Sequence, residues 1–136
     1  MQRAGVGDLG LDSPPLTAAP ERASLAFAAA LGAGDLGGAT ACFARDACLV
    51  TPDGTAIHGR EHIRAVLAQL IALRAEVAVE FSSVLVGGDV ALARERWTIR
   101  SRGAEATPFA QTLAPSLVLR RIEAEWKLAI ASPWAI

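Results

Sequence analysis

Past residue 76 the apolar residues of this chain change period. In residues 60–74, Ile63, Val66, Leu67, Leu70 and Ile71 recur at helical spacing. From Glu76 onward the repeat is two, the mark of half-buried strands. Helical segments followed by alternating strands predict an α+β domain, with N-terminal helices packed on one face of a strongly bent antiparallel sheet. The clearest alternation lies in residues 90–101. One face carries Ala91, Ala93, Glu95, Trp97 and Ile99; the other carries Val90, Leu92, Arg94, Arg96, Thr98 and Arg100. The first face is the more apolar and is predicted to line the interior. That phase puts a carboxyl beside an indole in a poorly solvated site.

Turn and cap residues divide the rest. Residues 1–19 carry Gly, Pro, Ser and apolar residues without period and read as a flexible N-terminal tail, leaving 20–136 as a single domain. Pro20 and Glu21 suit a first helical turn. Leu25, Phe27, Ala28, Ala29 and Leu31 read as the apolar stripe of that helix, which Gly32 and Gly34 end. Asp35 caps a short second helix running to Phe43. Residues 47–51 read as a strand, Pro52-Asp53-Gly54 as its turn, and 55–58 as a short return strand. Gly59 leads into the helix over 60–74. Four strands follow, over 77–86, 90–101, 107–122 (which Pro115 can bulge) and 126–134. The last is expected to carry Trp126, Leu128, Ile130, Ser132 and Trp134 on one face.

With 52% hydrophobic and 20% charged residues over 136 positions, the chain has the material for a real core. A net charge of −1 and no basic stripe with interleaved aromatics argue against a nucleic-acid partner. The most apolar segment, residues 23–31, is too short to span a bilayer, so no membrane partner is expected. No long apolar run follows Arg3, which argues against a secretory signal and for a cytoplasmic protein. Cys42 and Cys48 read as small buried thiols; a disulfide would need the intervening bend to bring them together. No CxxC or Cys/His cluster suggests a metal. No P-loop, dinucleotide fingerprint or Ser-His-Asp order suggests a cofactor or a triad.

In order along the chain stand Gly34-Asp35-Leu36, Phe43-Ala44-Arg45-Asp46-Ala47, Thr51-Pro52-Asp53-Gly54, Gly59-Arg60-Glu61 and the closing segment from Trp126 to Trp134. In that order and spacing they resemble the SnoaL-like and ketosteroid-isomerase-like branch of the nuclear transport factor 2 superfamily, over about residues 21–134. The resemblance implies a cone with an apolar pocket. It also implies a homodimer through the outer sheet face, here the face of Arg94, Arg96 and Arg100 with Leu92 and Thr112. Ketosteroid isomerases move a proton with a carboxylate base and hold the enolate oxygen with a Tyr hydroxyl and a protonated Asp. Matched by position, the Tyr falls on Phe27, the base on Thr51 and the Asp on Leu117. Phe has no hydroxyl, Thr is not a base near neutral pH, and Leu donates nothing. Many SnoaL-like relatives also have an acid at the Leu117 position and an Asp-Asn pair where this chain has Ala131-Ser132. The resemblance therefore predicts the fold and argues against steroid isomerisation.

Glu95, beside Trp97, is the candidate acid or base, because desolvation raises a carboxyl pKa toward the range that proton transfer needs. The plain alternative is a rim Glu paired with a neighbouring Arg. His58 ends the short strand, where it is placed to reach the cone mouth and titrate near neutral pH, or to be an ordinary edge residue. His62 reads as solvent-facing, and the strand–helix junction between the two disfavours a shared metal. Thr51 and Gln111 can each offer one hydrogen bond to a ligand carbonyl, with Phe27, Trp97 and Leu117 as pocket wall. Two functions stand side by side. In one, Glu95, helped by His58 or Thr51, moves a proton on a small apolar or polyketide-like molecule. The reaction is then isomerisation, cyclisation, dehydration or epoxide opening, as among relatives in natural-product metabolism. In the other, the chain is a non-catalytic dimeric binding or assembly module.

Overall fold

The computed structural model describes residues 19–51, 53–101 and 110–132. The tail expected over 1–19 lies, but for Ala19, outside the described residues, as do Pro52, Trp134 and the start of the 107–122 segment. In chain order the elements are α1 (Glu21–Gly32), α2 (Leu36–Ala41), β1 (Phe43–Val50), β2 (Ala56–His58), α3 (Arg60–Ala72), β3 (Ala75–Gly87), β4 (Val90–Ser101), β5 (Ala110–Leu113), β6 (Ser116–Ile122) and β7 (Glu125–Ser132). The architecture is α+β, as expected. The sheet runs β2-β1-β7-β6-β4-β3, with β5 also paired to β4. Every pairing is antiparallel except β1 with β7, which is parallel.

Local chemistry accounts for the element ends. The Asp35 carboxylate accepts the Gly38 N–H at 2.9 Å, capping α2. Gly59, at φ 91°, makes the turn from β2 into α3, a conformation that L side chains rarely adopt. The buried face of α1 is Ala23, Ser24, Phe27 and Leu31, whereas Leu25 and Ala29 are exposed. The expected stripe was thus rotated. Seven Ala and Leu residues in twelve positions leave little contrast between faces, so the sequence pattern alone could not phase the helix.

Between helices and sheet lies one core, in which Phe27, Leu31, Ile63 and Leu67 meet Phe43, Leu49, Trp97, Ile99 and Leu117. Each large side chain removed from water contributes about 1.5–3 kcal/mol. On β4 the alternation holds throughout: Ala91, Ala93, Glu95, Trp97 and Ile99 are all buried and their neighbours face out.

Two strands depart from the expected pattern. The segment 107–122 is not one strand: within its described part, β5 and β6 are separated at Ala114-Pro115, because Pro cannot donate to the ladder. On β7 the pairs Val118 with Ile130 and Leu119 with Leu128 leave Ala129 as an extra residue. This bulge flips the phase. Trp126 and Leu128 face the core, but Ile130 faces out and Ala131 takes the inner place. The expected single face through Ile130 is therefore broken.

On the outer face, cross-strand partners align in one row: Leu85, Leu92, Val118, Ile130, Cys48 and His58. Leu85 is 63%, Leu92 39% and Ile130 44% exposed. Arg96 and Arg100 on the same face of β4 make cross-strand ion pairs with Glu80 and Glu76 of β3. Among the described residues, no helix is long and apolar enough to cross a membrane.

Candidate functional site

Two sheet irregularities meet at Glu95. On one side, β3 carries an extra residue, Ser82, between the pairs Phe81 with Glu95 and Ser83 with Arg94. On the other, β4 changes partner. Residues up to Arg94 pair with β6, residues from Trp97 pair with β5, and the Ala114-Pro115 break lies opposite Glu95. The Glu95 N–H donates to the Pro115 carbonyl at 3.1 Å across that break. A bulge and a strand break at one level bend the sheet there and re-aim the side chain between them.

The Glu95 side chain is 3% exposed. One carboxyl oxygen, Oε1, accepts the Trp97 Nε1–H at 2.6 Å. The other, Oε2, lies 2.7 Å from the Ser24 hydroxyl of α1. Among the described residues, no Arg, Lys or His pairs with it. Burial pushes its pKa up; the hydrogen bonds from Trp97 and Ser24 oppose that shift, and the negative charge of Glu21 adds to it. The rim Glu paired with an Arg is therefore not what the fold builds. The arrangement is a buried carboxyl with a raised affinity for its proton, held by two uncharged partners.

Trp97 joins this carboxyl to the aromatic core. Its ring stacks on Phe27 at 5.7 Å, and Phe27 meets Phe43 edge-on at 5.5 Å. Such pairs contribute about 0.5–1.5 kcal/mol beyond their buried area. The Phe27, Phe43 and Trp97 rings, with Leu31, Leu67 and Ile99, line an apolar cavity of about 20 Å³. A space of this size holds roughly one water.

The other residues singled out from sequence do not converge on that place. Leu117 is fully buried on β6 opposite Ala93, away from the cavity wall. Thr51 sits in the turn after β1, its hydroxyl within hydrogen-bonding reach of the Asp53 carboxylate and the Thr55 carbonyl. That hydroxyl, followed by Thr55, holds the Asp53 carboxyl below the usual range. Gln111 is exposed on β5. His58 is exposed and pairs with Cys48 on the outer face, the side of the sheet away from Glu95. Its expected reach to the cone mouth is corrected by the β1–β2 register, which turns Ile57 rather than His58 toward the interior. The His58 carbonyl lies 3.0 Å from His62 Nδ1, a contact that closes the turn into α3.

Cys42 and Cys48 are free thiols, and burial pushes Cys42 up, away from thiolate chemistry. Among the described residues, no group of three His, Cys, Asp or Glu side chains is placed to hold a metal. The buried partner of Glu95 that sequence reading missed is Ser24. Its only signal was a polar residue three and seven positions before Phe27 and Leu31, on what proves to be the buried face of α1.

Comparison with known proteins agrees with this architecture. No curated protein sequence matches the chain. A ketosteroid isomerase-like protein from Erwinia carotovora atroseptica superposes with a TM-score of 0.73 at 19% identity, over 88% of this chain and 95% of the other. A provisionally assigned calcium/calmodulin-dependent protein kinase type II association domain from Thiobacillus denitrificans gives 0.70 at 25% identity, over 88% and 98%. A provisionally assigned dehydratase of the NTF2-like family from Streptomyces avermitilis gives 0.70 at 23% identity, over 83% and 92%. Residues 25–123 match the SnoaL-like domain. The chain therefore belongs to the SnoaL-like domain family, and its fold is that of these neighbours.

Proposed function

We propose that this protein binds a small, largely apolar molecule inside the cone, against Trp97 and Phe27, and that Glu95 gives or takes the proton in its chemistry. One observation carries the reading. A carboxyl with no counter-ion among the described residues is buried at the level where a bulge and a strand break bend the sheet around it. Burying such a group costs several kcal/mol unless its proton stays on or its partners compensate. A fold built only for stability would place an apolar side chain there. The chemistry available is proton transfer, as in isomerisation, cyclisation, dehydration or epoxide opening of a polyketide-like substrate, and one structural neighbour is provisionally assigned as a dehydratase. His58 and Thr51 take no part, since one faces outward and the other is engaged in its turn. Because the cavity holds about one water, a ligand enters by displacing wall side chains.

The test is a backbone amide NMR titration of the full chain with two neutral probes, a steroid ketone and an anthraquinone. Shifts confined to Phe27, Glu95, Trp97 and Ile99 are the expected result. Perturbation of the outer face alone, with the interior unmoved by either probe, overturns the reading.

A second reading has its own observation. The outer apolar row from Leu85 to Ile130 is more exposed than a monomer needs. It fits a homodimeric assembly module, as the neighbour assigned as an association domain also suggests. The two readings share a dimer and differ in whether the interior is used.

A further inference from the structure

Ser24 and Trp97 hold Glu95 in an unequal way. The indole Nε1–H is a donor only, so the oxygen it bonds, Oε1, must accept in every protonation state. The Ser24 hydroxyl can donate or accept, and it faces Oε2 at 2.7 Å. Ser24 itself is fully buried, at 0% exposure.

We propose that Ser24 is a positioning residue that fixes the Glu95 proton on Oε2, aimed at the Ser24 oxygen. In the neutral state Glu95 Oε2–H donates to Ser24 Oγ. When that proton passes to a base, the Ser24 hydroxyl turns and donates to Oε2, and no heavy atom need move. The carboxyl can thus be charged and discharged inside a packed core whose cavity leaves no room for solvent to reorganise. The proposal deepens the reading of Glu95 as a proton carrier and rests on it.

The groups facing Glu95 leave few other controls. From α1 come Ser24 and, one turn earlier, the charge of Glu21. From β3 comes Phe81, from β4 the Trp97 indole, and from the β5–β6 break the Pro115 carbonyl, already bonded to the Glu95 N–H. Glu21 disfavours the charged form; among the described residues, Trp97 and Ser24 favour it.

The experiment is a pH titration of the Trp97 indole Nε1–H signal by ¹⁵N NMR on the full chain, without ligand. The signal is assigned by its persistence in Trp126→Phe and Trp134→Phe. The expected wild-type result is one inflection, absent in Glu95→Gln. Ser24→Ala is expected to move the midpoint upward, because the carboxylate loses one of its two side-chain donors. Ser24→Cys, of similar volume and a weaker donor, is expected to move it upward by less, and serves if the Ala variant does not fold. A midpoint unchanged or lowered in both variants overturns the role of Ser24. So does an inflection that survives Glu95→Gln. Since no ligand is present, such failure is distinct from failure of the proposed function, which the probe titration reads.

Discussion

Three residues apart on β4, Leu92 is 39% exposed and Glu95 is 3% exposed. Elementary transfer energetics would reverse them. Burying a leucine stabilises by about 1.5–3 kcal/mol, whereas burying a carboxyl without a cation is costly. The rest of the inner face obeys the ordinary rule: Ala91, Ala93, Trp97 and Ile99 are all apolar and buried. The inversion is therefore local to two places, the bend that holds Glu95 and the outer row that holds Leu92. The two proposed readings rest on these two places, one inside the cone and one outside it. The two can be broken separately.

The largest contrast concerns reaction chemistry. The resemblance matches Phe27, Thr51 and Leu117 to an isomerase's Tyr, base and Asp, so by that match both oxyanion donors and the base are replaced. Loss of one donor typically costs on the order of a hundredfold or more in rate. No conversion of a 5-ene-3-keto steroid above background is expected by absorbance assay; measurable turnover would make the inner face an isomerase site after all.

Next in size is Trp97→Ala. It removes the ring that walls the cavity and one of the two side-chain donors to Glu95. A loss of roughly 3–5 kcal/mol in urea unfolding is expected for a buried aromatic. A loss below 1 kcal/mol would show that the aromatic core does not depend on it.

The outer face is tested by Leu92→Arg. The side chain is exposed, so unfolding stability of the subunit should change little. If two copies pair through the apolar row, wild type sediments as a dimer at tens of micromolar and the variant as a monomer. Equal sedimentation of both proteins would detach the row from assembly.

The smallest effect is pH-dependent. The folded pKa of Glu95 is raised by burial, so between the ordinary glutamate value and that raised value the native state binds more protons than the unfolded chain. Stability then falls as pH rises through this window and stays lower above it. Glu95→Gln cannot lose the proton, keeps an acceptor for Trp97 and a donor for Ser24, and removes that slope. Thermal melts should show the variant more stable than wild type above the window, with the gap closing in acid. A wild type more stable than Glu95→Gln at neutral pH would mean that the charge is well accommodated.

Much of this comparison could be read from the residues in order. The strict alternation of β4 placed Glu95 and Trp97 inside and the arginines outside, because a strand that pairs on both sides without an internal bulge keeps its period. The Asp35 cap and the Gly59 turn were legible for the same reason: each rests on neighbours a few positions away.

What followed local rules was settled by sequence alone: helices first, strands after, and the phase of β4. The tertiary structure decided whatever depends on partners distant along the chain. The parallel pairing of β1 with β7 joins segments about eighty residues apart. The Ala129 bulge, which turns Ile130 outward, exists only relative to the register of β6. His58 faces away from Glu95 because β2 is phased by β1. Ser24 meets Glu95 across a separation of 71 residues, and an alanine-rich helix has too little contrast to announce which face it buries. Packing chose that face, and with it the hydroxyl that meets the Glu95 carboxyl.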